Sequence, residues 1–73
     1  MPMTRDEHLK WCKDRALEYV NEGDLQNAVA SMISDLRKHD DFTGPVYAGL
    51  GMVGMMEIPK GSQAVRCWIE GFN

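Results

Sequence analysis

No apolar run in this 73-residue chain approaches the roughly 18 residues that a membrane span needs. The opening stretch Met1-Pro2-Met3-Thr4-Arg5 also lacks the apolar centre of a secretory leader. The expectation is a cytosolic protein. A basic cluster is missing as well. Lysine and arginine number 8 against 11 aspartates and glutamates, for a net charge of −3, and the basic residues are dispersed. Phosphate backbones reward clustered positive charge, so direct DNA binding is not expected. Cysteine is scarce, with only Cys12 and Cys67. That excludes a disulfide scaffold, and a Cys12–Cys67 bridge is disfavoured in a reducing compartment.

Metal and catalytic signals are equally thin. His8, Cys12, His39 and Cys67 make a two-plus-two ligand inventory, but no close Cys or His pair recurs at finger spacing, so no metal is expected. No nucleophile elbow or positioned base is recognisable, and so small a domain has little room for a preformed pocket of several hundred Å³. Gly49-Leu50-Gly51-Met52-Val53-Gly54 matches G-x-G-x-x-G letter for letter. The dinucleotide fingerprint, however, needs a preceding strand and a βαβ unit of about 30 residues, which this chain does not supply. A non-enzyme without cofactor is the reading.

What is present is helical. Residues 24–37 put Leu25, Ala28, Val29, Met32, Ile33 and Leu36 on one arc, with Gln26, Asn27, Ser31, Ser34, Arg37 and Lys38 opposite. Asp24 stands where a short carboxylate caps free amides and suits the positive end of the helix dipole. Upstream, Thr4-Arg5-Asp6-Glu7 has the form of a capping box. The helix it opens runs to about residue 22, with Leu9, Cys12, Ala16, Tyr19 and Val20 as its inner stripe, and Gly23 supplies a left-handed stop. So short a turn implies an antiparallel helical hairpin.

Residues 39–44 read as a loop, and Pro45 suits a first helical position with Thr43 or Gly44 as cap. The segment 46–58 is apolar and holds three internal glycines, each costing about 0.8–1.0 kcal/mol relative to alanine, so tertiary burial has to hold it as a helix. Gly49 and Gly51 are candidates for close helix approach, and Met52, Met55 and Met56 for adaptable core fillers. A partner-facing methionine surface is the alternative. After Pro59-Lys60-Gly61, Ser62 is positioned to cap a last helix carrying Ala64, Val65, Trp68 and Ile69, ended by Gly71 with Phe72 folding back. The predicted fold is all-α: one small domain, 1–73, of three to four short helices at about 5–22, 25–38, 45–57 and 63–70, built on the N-terminal hairpin.

Trp11 does not fit the inner stripe of the first helix. It is either covered by another part of the chain or an anchor for a protein partner, since tryptophan is enriched at binding hot spots. With Met3, Arg5, Asp6, Glu7 and His8 it clusters at the start of that helix, mixing an aromatic anchor with charge of both signs. These six residues are the candidate partner-binding site.

Residues 8–20 (HLKWCKDRALEYV), followed by Gly23-Asp24-Leu25, Ala28, Ser31-Met32, Asp35-Leu36 and Lys38-His39, resemble a group of small tailed-phage proteins. Gly51-Met52 and the final Ile69-Glu70-Gly71-Phe72-Asn73 extend the resemblance over nearly the whole chain. In length and character the chain is also similar to the RNA polymerase-binding transcription regulator type of lytic Xanthomonas phage. The resemblance implies a phage-encoded protein of the host cytoplasm that contacts the large subunits of bacterial RNA polymerase, inhibits initiation by displacing σ, and acts as an antiterminator. It carries over no functional residue. The alternatives are a helix-turn-helix DNA binder reading with Gln26, Asn27, Ser31, Ser34, Arg37 and Lys38, and a phage inhibitor of another host protein.

Overall fold

The computed structural model describes residues 4–39, 42 and 44–72. Among them there are four α-helices and no strand: α1 (Arg5–Asn21), α2 (Leu25–Leu36), α3 (Pro45–Glu57) and α4 (Ser62–Glu70), with a short 3₁₀ turn at Ile58–Lys60. The expected all-α architecture is therefore observed.

The start of α1 is fixed by its capping box. The Glu7 amide donates to Thr4 Oγ1 at 3.2 Å and the Thr4 amide donates to Glu7 Oε1 at 3.0 Å. The backbone hydrogen bond from Thr4, with the Thr4 side chain second, holds the Glu7 carboxyl below its ordinary range. The end of α1 is a Schellman closure. Gly23 sits at φ +79°, its amide donates to the Val20 carbonyl, and the Asp24 amide donates to the Tyr19 carbonyl at 2.9 Å. Asp24 then serves the next helix, accepting from the Asn27 amide at 3.3 Å and from Asn27 Nδ2 at 2.7 Å. One residue thus completes α1 and opens α2.

The core is the shared interior of α1, α2 and α4. Leu9, Cys12, Ala16 and Val20 of α1 meet Ala28, Val29, Met32 and Leu36 of α2, with Val65, Ile69 and Phe72 from the C-terminal end. Phe42 joins them from the predicted loop and is the largest fully buried side chain. Its burial gives the segment between α2 and α3 a place in the core; full burial of such a ring is worth about 1.5–3 kcal/mol. Lys13 Nζ donates to the Glu70 carbonyl at 3.2 Å and to the Phe72 carbonyl at 2.5 Å, placing a cation on the negative end of α4. Arg66 reaches Asn21 Oδ1 at 2.8 Å and ties α4 to the far end of α1.

Two terminal details differ from expectation. Ser62 is the first residue of α4 rather than its cap; Gly61, at φ +104°, precedes it and offers no side chain. Gly71 ends α4 in a right-handed conformation, φ −75°, because its amide already reaches the Cys67 carbonyl. Phe72 does fold back, edge-on to Trp68 at 5.1 Å between ring centres.

Helix α3 packs by close approach. A Cβ at Gly51 would lie 3.1 Å from Ile33 Cδ1, and one at Gly54 would lie 2.4 Å from the Trp68 ring. Trp68 Nε1 donates to the Leu50 carbonyl at 3.0 Å, locking α4 against the same side of α3. Gly49, expected to share this duty, faces open space.

Candidate protein-interaction surface

Of the six N-terminal candidates, the five within the described residues do not form one surface. Met3 lies outside the described residues. Asp6 is exposed and lies 3.6 Å from the Arg5 guanidinium, which also sits 4.7 Å above the Phe42 ring. Glu7 is exposed, with its carboxylate engaged at the helix cap.

His8 is the correction: it is buried, 7% exposed, so it does not present itself to a partner. Its Nε2–H donates to the Asp35 carbonyl at 2.7 Å, and its ring lies within 6.2 Å of Trp11, His39 and Phe42. The residue stands one turn from Cys12 on the inner side of α1, which is why α2 covers it.

Trp11 is half-buried and packs against the core. The Arg15 guanidinium and the Lys38 ammonium lie 5.0 Å and 5.4 Å from its ring centre. The same two cations reach Asp35, Arg15 Nε at 3.0 Å and Lys38 Nζ at 3.2 Å, while Ser31 Oγ donates to it at 3.2 Å. Asp35 is 4% exposed, so three donors compensate a carboxylate removed from water. Ser31 and Lys38 stand at i−4 and i+3 from Asp35, a helical spacing visible in the sequence, whereas Arg15 is added only by the meeting of α1 and α2. Trp11, Arg15, Asp35 and Lys38 therefore act together as a polar clasp on the helix pair.

The surface that stands out is on α3. Val46, Met52, Met55 and Met56 are 57–71% exposed and Val53 is 43% exposed. At about 100° per residue these five occupy the half of the helix turned away from Gly51 and Gly54. The expectation that Met52, Met55 and Met56 fill the core is overturned. The inner side of α3 is supplied instead by glycines, Tyr47 and Leu50, and the bulky side chains point out. A helix apolar all round is normally buried, and this one is covered on one side only. Beside the ridge runs an open groove between α3 and α4, lined by Val46, Tyr47, Leu50, Cys67, Trp68 and Phe72. Ridge and groove together form a contiguous apolar surface whose methionines can repack against irregular partners.

The two imidazoles meet, with His8 and His39 5.3 Å apart between ring centres, but among the described residues no three His, Cys, Asp or Glu side chains are grouped as a metal site would require. Cys12 is fully buried, and its thiol is pushed up to about 11 by burial, with the nearby Asp35 charge adding to the effect. Cys67 is exposed beside the groove, and neither cysteine is in a disulfide. Comparison with protein-family models, with curated proteins and with solved structures finds no match for this chain. No helix among the described residues is long and apolar enough to cross a membrane.

Proposed function

We propose that this chain is a regulator that acts by binding a protein rather than by catalysis, with bacterial RNA polymerase as its target in the cytoplasm of a phage-infected cell. The observation that carries the binding class is the outward face of α3, where three methionines and two valines stand in solvent on a helix whose inner side is already packed. The fitting partner surface is itself apolar, because a charge buried against this ridge would find no counter-charge there. His8 and Trp11 contribute through the α1–α2 clasp that holds the domain in shape, and Arg5 and Asp6 remain a polar edge on the first turn of α1. The phage setting rests on the resemblance of residues 8–39 and 69–73 to small tailed-phage proteins, and the choice of polymerase on the likeness in length and general character to the polymerase-binding regulator type. On that reading the domain occupies the large subunits where σ would dock, which lowers σ-dependent initiation and supports antitermination.

The test uses purified core polymerase, σ and a promoter template. The expected result is comigration of the protein with core enzyme and reduced σ-dependent initiation, with no affinity for bare promoter DNA. Tight, salt-sensitive binding to naked duplex without polymerase contact would replace this reading with the DNA-binding one. Contact with a different host protein would keep the binding class and discard the target.

A further inference from the structure

The face given above to a target has another occupant of the right chemistry, and we propose that it is a second copy of this chain: the free protein pairs through α3 as a two-fold dimer. The surface carries both halves of a self-complementary fit. The convex ridge of Met52, Val53 and Met56 lies beside a concave apolar groove floored by Tyr47, Leu50 and Trp68. A two-fold operation brings the ridge of each copy to the groove of the other, so one patch serves as both knob and socket.

The area is sufficient. The five exposed side chains of α3 leave on the order of 500–600 Å² in water, the size of the largest patch on a typical monomer. Burying the ridge and the groove of both copies together approaches about 1,000 Å², the lower bound for a specific interface. The charge pattern selects the same occupant. Glu57 is the sole acidic or basic residue of α3, at its last position, and Lys60 Nζ lies 3.3 Å from its carboxylate. An identical ridge brings no unpaired charge into the contact, whereas a surface bearing lysines or carboxylates would strand them. Because the contact is small, association is expected at about 1–100 µM. Dimer and target-bound forms then exclude one another; this last consequence rests on the function proposed above, and the dimer itself does not.

Sedimentation of the full chain from about 1 µM to about 1 mM tests the pairing. The expected mass rises with concentration from 8.3 kDa toward twice that value. In Met52→Glu/Met56→Glu the mass stays at the monomer value throughout, with an unchanged helical circular dichroism signal because both side chains are exposed. Met52→Leu/Met56→Leu should pair like the wild type. A wild-type chain monomeric at the highest concentration, or a glutamate variant that dimerises as tightly as the wild type, overturns the proposal. A chain that dimerises when concentrated but fails to engage core polymerase when diluted to the monomer supports the pairing while removing the proposed target. A monomer throughout the series that does engage polymerase removes the pairing and leaves the target.

Discussion

Gly54 lies directly under the indole of Trp68: a Cβ at position 54 would fall 2.4 Å from Trp68 Cζ2. The contact is possible only because position 54 has no side chain, and it places Trp68 Nε1 on the Leu50 carbonyl. Gly54→Ala forces the ring away and loosens α3 from α4. The expected cost is about 1–3 kcal/mol by thermal or denaturant unfolding. Gly49→Ala on the same helix meets open space and gains helix propensity, so it should stabilise by about 0.5–1 kcal/mol. Equal effects of the two substitutions would show that the Gly54–Trp68 approach does not hold α3.

The two thiols should separate cleanly. Cys67 is exposed and should react with an alkylating reagent at pH 8 in the folded protein. Cys12 is buried and protonated there, and should react only when denaturant opens the core. The shift also sets an alkaline limit. The folded thiol releases its proton at about 11 rather than 9.0, so the unfolded chain is deprotonated first and stability falls as pH rises from 9 to 11. Cys12→Ala should flatten that part of the pH–stability profile, measured against wild type in the same buffers.

Asp35→Ala removes the acceptor shared by Arg15, Ser31 and Lys38. Both cations are roughly half exposed and can return to water, so the loss should be about 1–3 kcal/mol rather than the larger penalty of a stranded buried charge. Trp11→Ala should lower the melting temperature as well, since the ring packs on the core between those two cations. Asp6→Ala, at a carboxylate 93% exposed on the first turn, should leave melting unchanged. A destabilised Asp6 variant beside an unaffected Trp11 variant would reverse this assignment.

Local rules made the helices legible. Thr4 and Glu7 at capping-box spacing, Gly23 before Asp24, and the stripe from Leu25 to Leu36 each encode their structure within a few residues. What required tertiary contacts did not show. Asp35 reads as one more polar residue until Arg15 arrives from another helix, and the burial of Phe42 depends on His8, Tyr47 and Arg5 meeting around it. The orientation of α3 was hidden for a different reason. Every position from 46 to 56 is apolar or glycine, so periodicity cannot say which side faces in. Glycine at 51 and 54 decides it, by admitting Ile33 and Trp68 and turning the methionines outward. In the sequence the visible signal is instead the off-stripe Trp11, which points to the N-terminus.

The most direct test of the proposed function is the affinity of labelled protein for purified core RNA polymerase, wild type against Met52→Glu/Met56→Glu, at concentrations where the chain is monomeric. Docking through the outer face of α3 predicts measurable wild-type binding and a loss of at least about tenfold in the variant, or about 1.4 kcal/mol, with the fold intact by circular dichroism. Equal affinity of the two proteins, or no binding by the wild type, would contradict it.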